Sequence, residues 1–279
     1  MQVAERQKPP PGALYLDHVA HFVPDLGEAA KLLESLGFTP TPESAHQAGG
    51  APAGTSNRCL MFEEGYIEIL APTLDTPNAR RVRDHMARYD GVHLASFGTP
   101  DAAFEHARLA AQGFEPELLV KLSRQVEGGE TVRFGVVYVP PDKMPEGRVQ
   151  YCQQLTPEVI WKERFVRHPN GVTGLAAVHV VADDVPAAAA RWARFSGLLP
   201  RSEGGLACLQ AARGKVLIGK RMNMFGAAPA APALAGYALS CSDPAAFVAR
   251  CSKLGLAVRK AGAGHAVGLP RSLGGVWLV

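Results

Sequence analysis

The chain has 279 residues, of which 47% are hydrophobic and 20% are charged, and its formal net charge is +3. This length is sufficient for one large domain or two ordinary domains with a substantial core. No apolar run approaches the roughly 20 residues that a membrane span requires, so we expect no membrane partner. The basic residues are scattered and lack interleaved aromatic residues, which argues against a nucleic-acid partner.

The N-terminal sequence MQVAERQKPPPGA has no apolar signal-peptide core, and its prolines predict a flexible leader over residues 1–12. We therefore expect a cytoplasmic protein. The five cysteines are an odd number without CxxC spacing, which predicts reduced, mostly buried thiols rather than a disulfide framework.

A strand, a helix and three further strands are predicted in order over residues 13–75. The stretch LDHVAHFVPD (16–25) alternates apolar and polar residues, as a half-buried strand does, and breaks at its Pro-Asp end. The following DLGEAAKLLESLGF has apolar residues at helical spacing, with Asp25 as a suitable N-cap and Gly37 as a suitable C-terminal cap. Three strand-like segments follow, at residues 39–46, 57–64 and 66–72.

This order of elements repeats along the chain. A second copy begins near residue 91, where Asp101 and Gly113 are separated by the same 12 positions as Asp25 and Gly37. Such internal repetition predicts a fold built from repeated units. The predicted modules are residues 13–75, 90–155, 173–222 and 234–279, which form two domains, 13–155 and 173–279, joined by a linker at 156–172.

Two segments of the first module, LDHVAHFVPDLGEAAKLLESLGF and GTSNRCLMFEEGYIEIL, resemble the glyoxalase-like branch of the vicinal oxygen chelate superfamily, whose members include extradiol dioxygenases. The resemblance implies an α+β fold in which four βαβββ modules pair into two glyoxalase/dioxygenase-like domains with open, cup-shaped mixed sheets. It also implies one divalent metal ion (Fe, Mn, Zn, Ni or Co) within a cup, held by ligands from the first and last strands of each module.

Carried over to this chain, the resemblance implies His18 as the first-strand metal ligand and Glu68 as the last-strand carboxylate ligand. The residues themselves agree with this assignment, because His18 shares a strand face with the core residues Ala20 and Phe22. Glu68 lies among apolar neighbours, where an unpaired carboxylate is costly and a cation would compensate its charge.

The second module offers His93 and Gln153 as further metal ligands. His93 is eight residues before its helix cap, whereas His18 is seven residues before its own, and a one-residue slip reverses the face of a strand unless a bulge absorbs it. Gln153 aligns with Glu68 when the prolines that follow the two strands are matched. A set of two histidines and one carboxylate with open positions suits an octahedral divalent metal. The later modules have no carboxylate in their last strands, so we expect a degenerate second domain.

Polar residues beside a Gly/Pro-rich segment are candidate substrate-binding residues. His46 and Asn57 flank QAGGAPAGTS, which predicts a mobile loop at the mouth of the cup. Arg58 follows and is suited to gripping a carboxylate. The alternatives are turn-forming roles for His46 and Asn57 and a solvated position for Arg58.

The resemblance and these residues together predict a metal-dependent lyase or isomerase of the glyoxalase type, acting on a small-molecule substrate as a monomer or homodimer. The metal would chelate two oxygens of an oxygenated carbonyl compound and stabilise an enolate or oxyanion, with Glu68 as ligand or catalytic base. Two alternatives stay open: an extradiol-type ring-cleaving dioxygenase that uses Fe(II), and a metal-free small-molecule binding protein.

Overall fold

The computed structural model describes residues 2–221 and 229–279. Residue 1 of the predicted leader and residue 222, the predicted end of the third module, lie outside the described residues. Strands and helices follow one another in the order that the module pattern predicts, and the predicted α+β class is confirmed.

The first half of the chain contains eight strands and three helices. The strands are β1 (Tyr15–Phe22), β2 (Ser44–Ala48), β3 (Ala51–Met61), β4 (Tyr66–Pro72), β5 (Val92–Gly98), β6 (Val120–Gln125), β7 (Thr131–Tyr138) and β8 (Arg148–Gln154). The helices are α1 (Leu26–Ser35), α2 (Pro77–Met86) and α3 (Ala102–Ala111). Helix α2 lies between the first two modules, in a segment that the module pattern leaves unassigned.

The second half has the same alternation with shorter strands. After the short helix α4 (Glu163–Val166) come β9 (Val172–Val181), α5 (Val185–Ser196), β10 (Pro200–Glu203), β11 (Leu206–Gln210), β12 (Lys215–Gly219), β13 (Ala233–Cys241), α6 (Pro244–Lys253), β14 (Ala257–Ala261), β15 (Gly264–Gly268) and β16 (Val276–Leu278). Over the two described ranges, every helix is too short or too polar to cross a membrane.

The first eight strands form a closed, curved barrel, here called the first barrel. Their order is β1-β4-β3-β2-β6-β7-β8-β5, and antiparallel pairing of β1 with β5 closes the ring. In each module the first strand is parallel to the last, so Ala20 pairs with Glu68 and Ser96 pairs with Gln150. Because successive side chains of a strand alternate between its faces, every second residue of these strands points into the barrel.

The strands of the second half continue the same sheet. They follow β5 in the order β13-β9-β12-β11-β10, and β16, β15 and β14 extend from β13. Leu234 of β13 pairs with Val92 of β5, and the backbone N–H of Leu16 donates to the carbonyl oxygen of Arg213 at 2.7 Å. The two halves therefore share one continuous hydrogen-bonded sheet.

An aspartate begins the helix of each module. Each of these N-cap carboxylates accepts a hydrogen bond from the backbone N–H three residues later, at 2.9 to 3.0 Å; the caps are Asp25, Asp101, Asp184 and Asp243. Gly37 follows α1 with a φ of 82°, a left-handed conformation that glycine adopts without steric cost. Three of these caps lie three residues after the end of the first strand, and Asp243 lies two residues after the end of β13.

The N-terminal segment contacts the first barrel through a short 3-10 helix, Glu5–Gln7. Gln7 is fully buried, and its side-chain amide donates to the carbonyl oxygens of Val3 and Glu63, both at 2.9 Å. The segment 1–12 is expected from the sequence to be a flexible leader, and its middle residue Gln7 has defined contacts with the first barrel.

The main hydrophobic core lies between the sheet and the helices and includes residues of both halves. Phe97 of β5 packs edge-on against Trp192 of α5, with 6.4 Å between ring centroids, and both side chains are fully buried. Burial of such large aromatic groups contributes several kcal/mol each, about 25 cal/mol per Å² of apolar surface. Packing as well as hydrogen bonding therefore holds the halves together.

Candidate functional site

The interior of the first barrel holds a cavity of about 330 Å³. Its wall is largely apolar, with a smaller number of polar side chains that include His18, His46, Asn57 and Glu68. Apolar concave sites with a few convergent polar groups are typical of small-molecule binding sites. Four of the seven residues expected to form the site are therefore brought together here.

His18 faces the cavity with a fixed ring orientation. Its Nδ1 donates to Oδ2 of Asp17 at 2.6 Å, and Asp17 is fully buried. The side-chain amide of Gln154 donates to the same carboxylate oxygen at 3.0 Å. The ring of His18 also stacks on Tyr66, with 4.4 Å between centroids. Since Nδ1 is occupied, Nε2 is the ring nitrogen available to a molecule in the cavity.

Glu68 points into the cavity because strand alternation places it on the same face as Tyr66 and Leu70, which line the cavity too. The side-chain amide of Asn57 donates to Oε1 of Glu68 at 2.6 Å, and Nε2 of His46 lies 3.7 Å from the same oxygen. Burial lowers the pKa of His46 to about 4, although the charge of Glu68 acts in the opposite direction. His46 is therefore neutral at physiological pH and can accept or donate a hydrogen bond.

His93 does not reach the cavity, which corrects its assignment as a metal ligand. Its Nε2 donates to the carbonyl oxygen of Tyr89 at 2.7 Å, and its Nδ1 accepts from the backbone N–H of Phe22 at 3.2 Å. Both ring nitrogens are thus used by the backbone. Leu94, seven residues before its helix cap, takes the place that matches His18 and lines the cavity.

Gln153 also faces away from the cavity. Its side-chain oxygen accepts from the backbone N–H of Ala102 at 3.2 Å, and its amide donates to the carbonyl oxygen of Pro100 at 2.7 Å, so it holds the start of α3. The position that matches Glu68 is Gln150, which lines the cavity and whose Oε1 is buried without a partner among the described residues.

Arg58 lies on the outer face of β3 and does not contact the cavity. Its Nε donates to the carbonyl oxygen of Thr41 at 2.8 Å, and its Nη2 is 3.6 Å from Glu34. The arginines that do line the cavity are Arg81, Arg124 and Arg148. Arg124 and Arg148 are on β6 and β8, so only the three-dimensional pairing of the modules brings them to His18 and Glu68.

The donor set of the cavity does not fit a resident metal ion. Protein metal sites use three or four protein ligands in most cases. Of the four matching positions, His18 and Glu68 offer such ligands, Leu94 offers none and Gln150 offers only a neutral amide oxygen. Over residues 2–221 and 229–279, no group of three or more His, Cys, Asp or Glu side chains is arranged to hold a metal.

The corresponding positions of the third module are filled by apolar side chains. Counted from the helix cap Asp184, Ala177 takes the place of His18, and Leu217 takes the place of Glu68 through its pairing with His179. Ala177 and Leu217 pack with Cys208 in a small hydrophobic cluster. The third module therefore places apolar side chains where the first module has His18 and Glu68.

Comparison with known proteins agrees with this architecture. A family model described as a glyoxalase-like domain matches residues 16–196, well over half of the chain. A comparison with curated proteins gives no significant match.

Solved structures share the fold at low sequence identity. A hypothetical protein from Staphylococcus aureus has a TM-score of 0.66 at 12% identity, covering 95% of this chain and 98% of that one. A mutant 4-hydroxymandelate synthase from Streptomyces coelicolor has a TM-score of 0.57 at 16% identity, covering 95% and 92%. An Mn(II)-bound glyoxalase from Novosphingobium aromaticivorans has a TM-score of 0.57 at 11% identity, covering 95% and 82%. The matching family model establishes that the chain belongs to the glyoxalase-like domain family of the vicinal oxygen chelate superfamily, and these solved structures share its fold.

Proposed function

We propose that the first barrel binds a small organic molecule in its cavity and does so without a resident metal ion. The observation that carries this proposal is the cavity itself, in which apolar walls surround a small set of polar atoms held in fixed positions. In such a site the apolar wall fits the shape of the ligand, and a few hydrogen bonds to its polar atoms fix its orientation.

The polar groups have distinct roles in this proposal. Nε2 of His18 and Nε2 of the neutral His46 are available for hydrogen bonds to the ligand, whereas Nδ1 of His46 is hydrogen-bonded to Oγ1 of Thr55 at 3.0 Å. Glu68 is the group that could take a proton from a bound molecule, because its carboxylate faces the cavity and Asn57 keeps it oriented. Binding is the function proposed, and proton transfer by Glu68 would make the same site an enzyme.

The metal-free part of the proposal is tested by elemental mass spectrometry on protein purified without chelator. We expect well below one equivalent of any divalent metal in the parent, with no change in His18→Ala or Glu68→Ala. His265→Ala, on β15, is a control histidine outside the first barrel. Near one equivalent of metal, lost in His18→Ala and Glu68→Ala but kept in His265→Ala, would refute the proposal. That result would favour a metal-dependent lyase or isomerase, or an Fe(II) extradiol dioxygenase, as the function of the first barrel.

The binding part is tested with a variant that fills the cavity. Leu94 lines the cavity and is buried, so Leu94→Phe places extra volume inside it. We expect this variant to keep a cooperative unfolding transition. It should no longer bind 3-phenylpropanoate or its amide when titrated by isothermal calorimetry. Parental affinity for the probe in Leu94→Phe would show that the probe binds elsewhere.

A further inference from the structure

The wall of the cavity carries more positive than negative charge. At the mouth, Arg81 pairs with Glu117 at 2.8 Å, so these two charges compensate each other. The other charged side chains that line the cavity are Arg124, Arg148 and Glu68. Two guanidinium groups thus face a single carboxylate inside a largely apolar space.

Among the described residues, Arg124 has only a weak, neutral hydrogen-bond partner. The residue is 2% exposed, its Nη2 donates to Sγ of Cys59 at 3.7 Å, and its Nε finds no acceptor among the described residues. Burial raises the pKa of the Cys59 thiol to about 12, so this thiol is neutral and supplies no counter-charge. A buried guanidinium without a counter-ion is unfavourable for folding, which points to a role in binding.

Arg148 is held in place by neutral groups as well. Its guanidinium carbon lies 4.2 Å from the ring centroid of Tyr138, and Nη1 and Nη2 both donate to Oδ1 of Asn78 at 3.3 Å. Asn78 is in the first turn of α2, and the positive end of that helix adds to the same field. Arg124 and Arg148 both oppose protonation of His46, so both charges act on the same part of the cavity.

A second buried carboxylate, Asp17, lies behind His18 and is compensated outside the cavity. Asp17 accepts hydrogen bonds from His18 and Gln154. Burial lowers the pKa of Arg213 in the second half, and the charge of Asp17 acts in the opposite direction. Asp17 is not part of the cavity wall. It therefore does not neutralise Arg124 or Arg148 from inside the cavity.

The remaining wall is suited to a hydrocarbon group. The apolar side chains that line it come from both modules of the first barrel; they include Leu70, Leu94, Leu122, Phe134 and Val136. Burying an apolar group against them contributes about 25 cal/mol per Å² of surface removed from water. A ligand that matches the whole wall has one anionic end and one apolar end.

We propose that the ligand of the first barrel is an organic carboxylate with a compact aliphatic or aromatic group, and that its carboxylate binds Arg124 with Arg148 at the same anion site. This inference rests on the proposed binding function and adds the chemical class of the ligand. The carboxylate oxygens supply the acceptors that Arg124 lacks, and the planar guanidinium matches them in two parallel hydrogen bonds.

The test uses matched acid and amide probes on the full chain. The pairs are 3-phenylpropanoate with 3-phenylpropanamide and 4-methylpentanoate with 4-methylpentanamide, titrated by isothermal calorimetry. We expect the acids to bind at least tenfold more tightly than the amides. Arg124→Gln should weaken acid binding roughly 10- to 100-fold, as loss of a hydrogen bond to a charged group does, and change amide binding less than twofold.

Two further variants keep the test decisive. Arg124→Lys retains the charge without the planar fork and should bind the acids with intermediate affinity. Arg133→Gln makes the same change as Arg124→Gln at an exposed position of β7 and should leave both affinities at the parental values. A thermal unfolding curve of each variant verifies that it is folded.

The outcomes separate the two proposals. Equal binding of acids and amides, unaffected by Arg124→Gln, would overturn the carboxylate inference and leave small-molecule binding in place. Failure of all four probes to bind the parent would refute the binding function, and the carboxylate inference with it.

Discussion

One buried histidine makes the stability of this fold depend on pH in a way that can be calculated. His93 is 1% exposed, and its neutral ring satisfies the carbonyl oxygen of Tyr89 and the N–H of Phe22 at once. Burial lowers its pKa from 6.5 to about 4. In the unfolded chain the same group titrates near its usual value. Between these two pH values the unfolded state binds more protons, so the folded state loses stability as the pH falls.

The magnitude follows from the two pKa values. Between pH 7 and pH 5, one such histidine lowers the free energy of unfolding by about 1.8 kcal/mol. We expect His93→Gln to be less stable than the parent at pH 7, because the ring and its stacking on Phe22 are lost. Between pH 7 and pH 5, the free energy of unfolding of His93→Gln should fall by about 1.8 kcal/mol less than that of the parent. Urea unfolding at the two pH values measures both quantities.

A neighbouring residue provides the control. Val92 is fully buried on the same strand and does not titrate, so Val92→Ala should lower the free energy of unfolding by the same amount at both pH values. If His93→Gln and the parent lose equal stability between pH 7 and pH 5, the assignment of a neutral, buried His93 is refuted. Five more histidines have pKa values lowered to about 4, chiefly by burial, so the parent should unfold steeply in acid: His21, His46, His85, His168 and His179.

Three further substitutions test other features of the first barrel by urea or thermal unfolding. Arg124→Met should raise the free energy of unfolding of the ligand-free protein by about 1–4 kcal/mol, since it removes a buried charge that forms no ion pair among the described residues, and a decrease would contradict that description. Asn57→Ala deletes the 2.6 Å hydrogen bond to Glu68 and should lower the free energy of unfolding by about 1–3 kcal/mol, whereas parental stability would mean that the bond contributes nothing. Gly54 has a φ of 80° and a Cβ there would collide with Oγ1 of Thr76, so Gly54→Ala should cost about 1–3 kcal/mol; an unchanged melting temperature would contradict this steric argument.

Local patterns predict much of this fold because they are set by residues close together in sequence. An aspartate shortly after each first strand caps the following helix, and a glycine 12 or 13 residues later follows the end of that helix. Strand alternation then places His18 and Glu68 on the inner face. These inferences need no knowledge of which strands pair across the barrel.

The remaining site residues depend on information that is not local. Alignment by prolines misplaces Gln153, since β4 ends at Pro72 itself whereas β8 ends three residues before Pro157. Pairing of the first strand with the last identifies Gln150 instead, and it requires the register. Arg124 has no sequence signal at all, because its environment is created by β2 and β3 of the other module.

The continuous sheet has a consequence for how the molecule comes apart. Separating the halves would break the pairing of Val92 with Leu234 and expose the aromatic contact between Phe97 and Trp192 to water. If one half unfolded, it would expose the sheet edge of the other half. The chain is therefore expected to unfold as one cooperative unit despite its repeated modules. Strand β5 carries both of these contacts and also Leu94 of the cavity wall, so unfolding of the second half is expected to disturb a cavity that lies entirely in the first half.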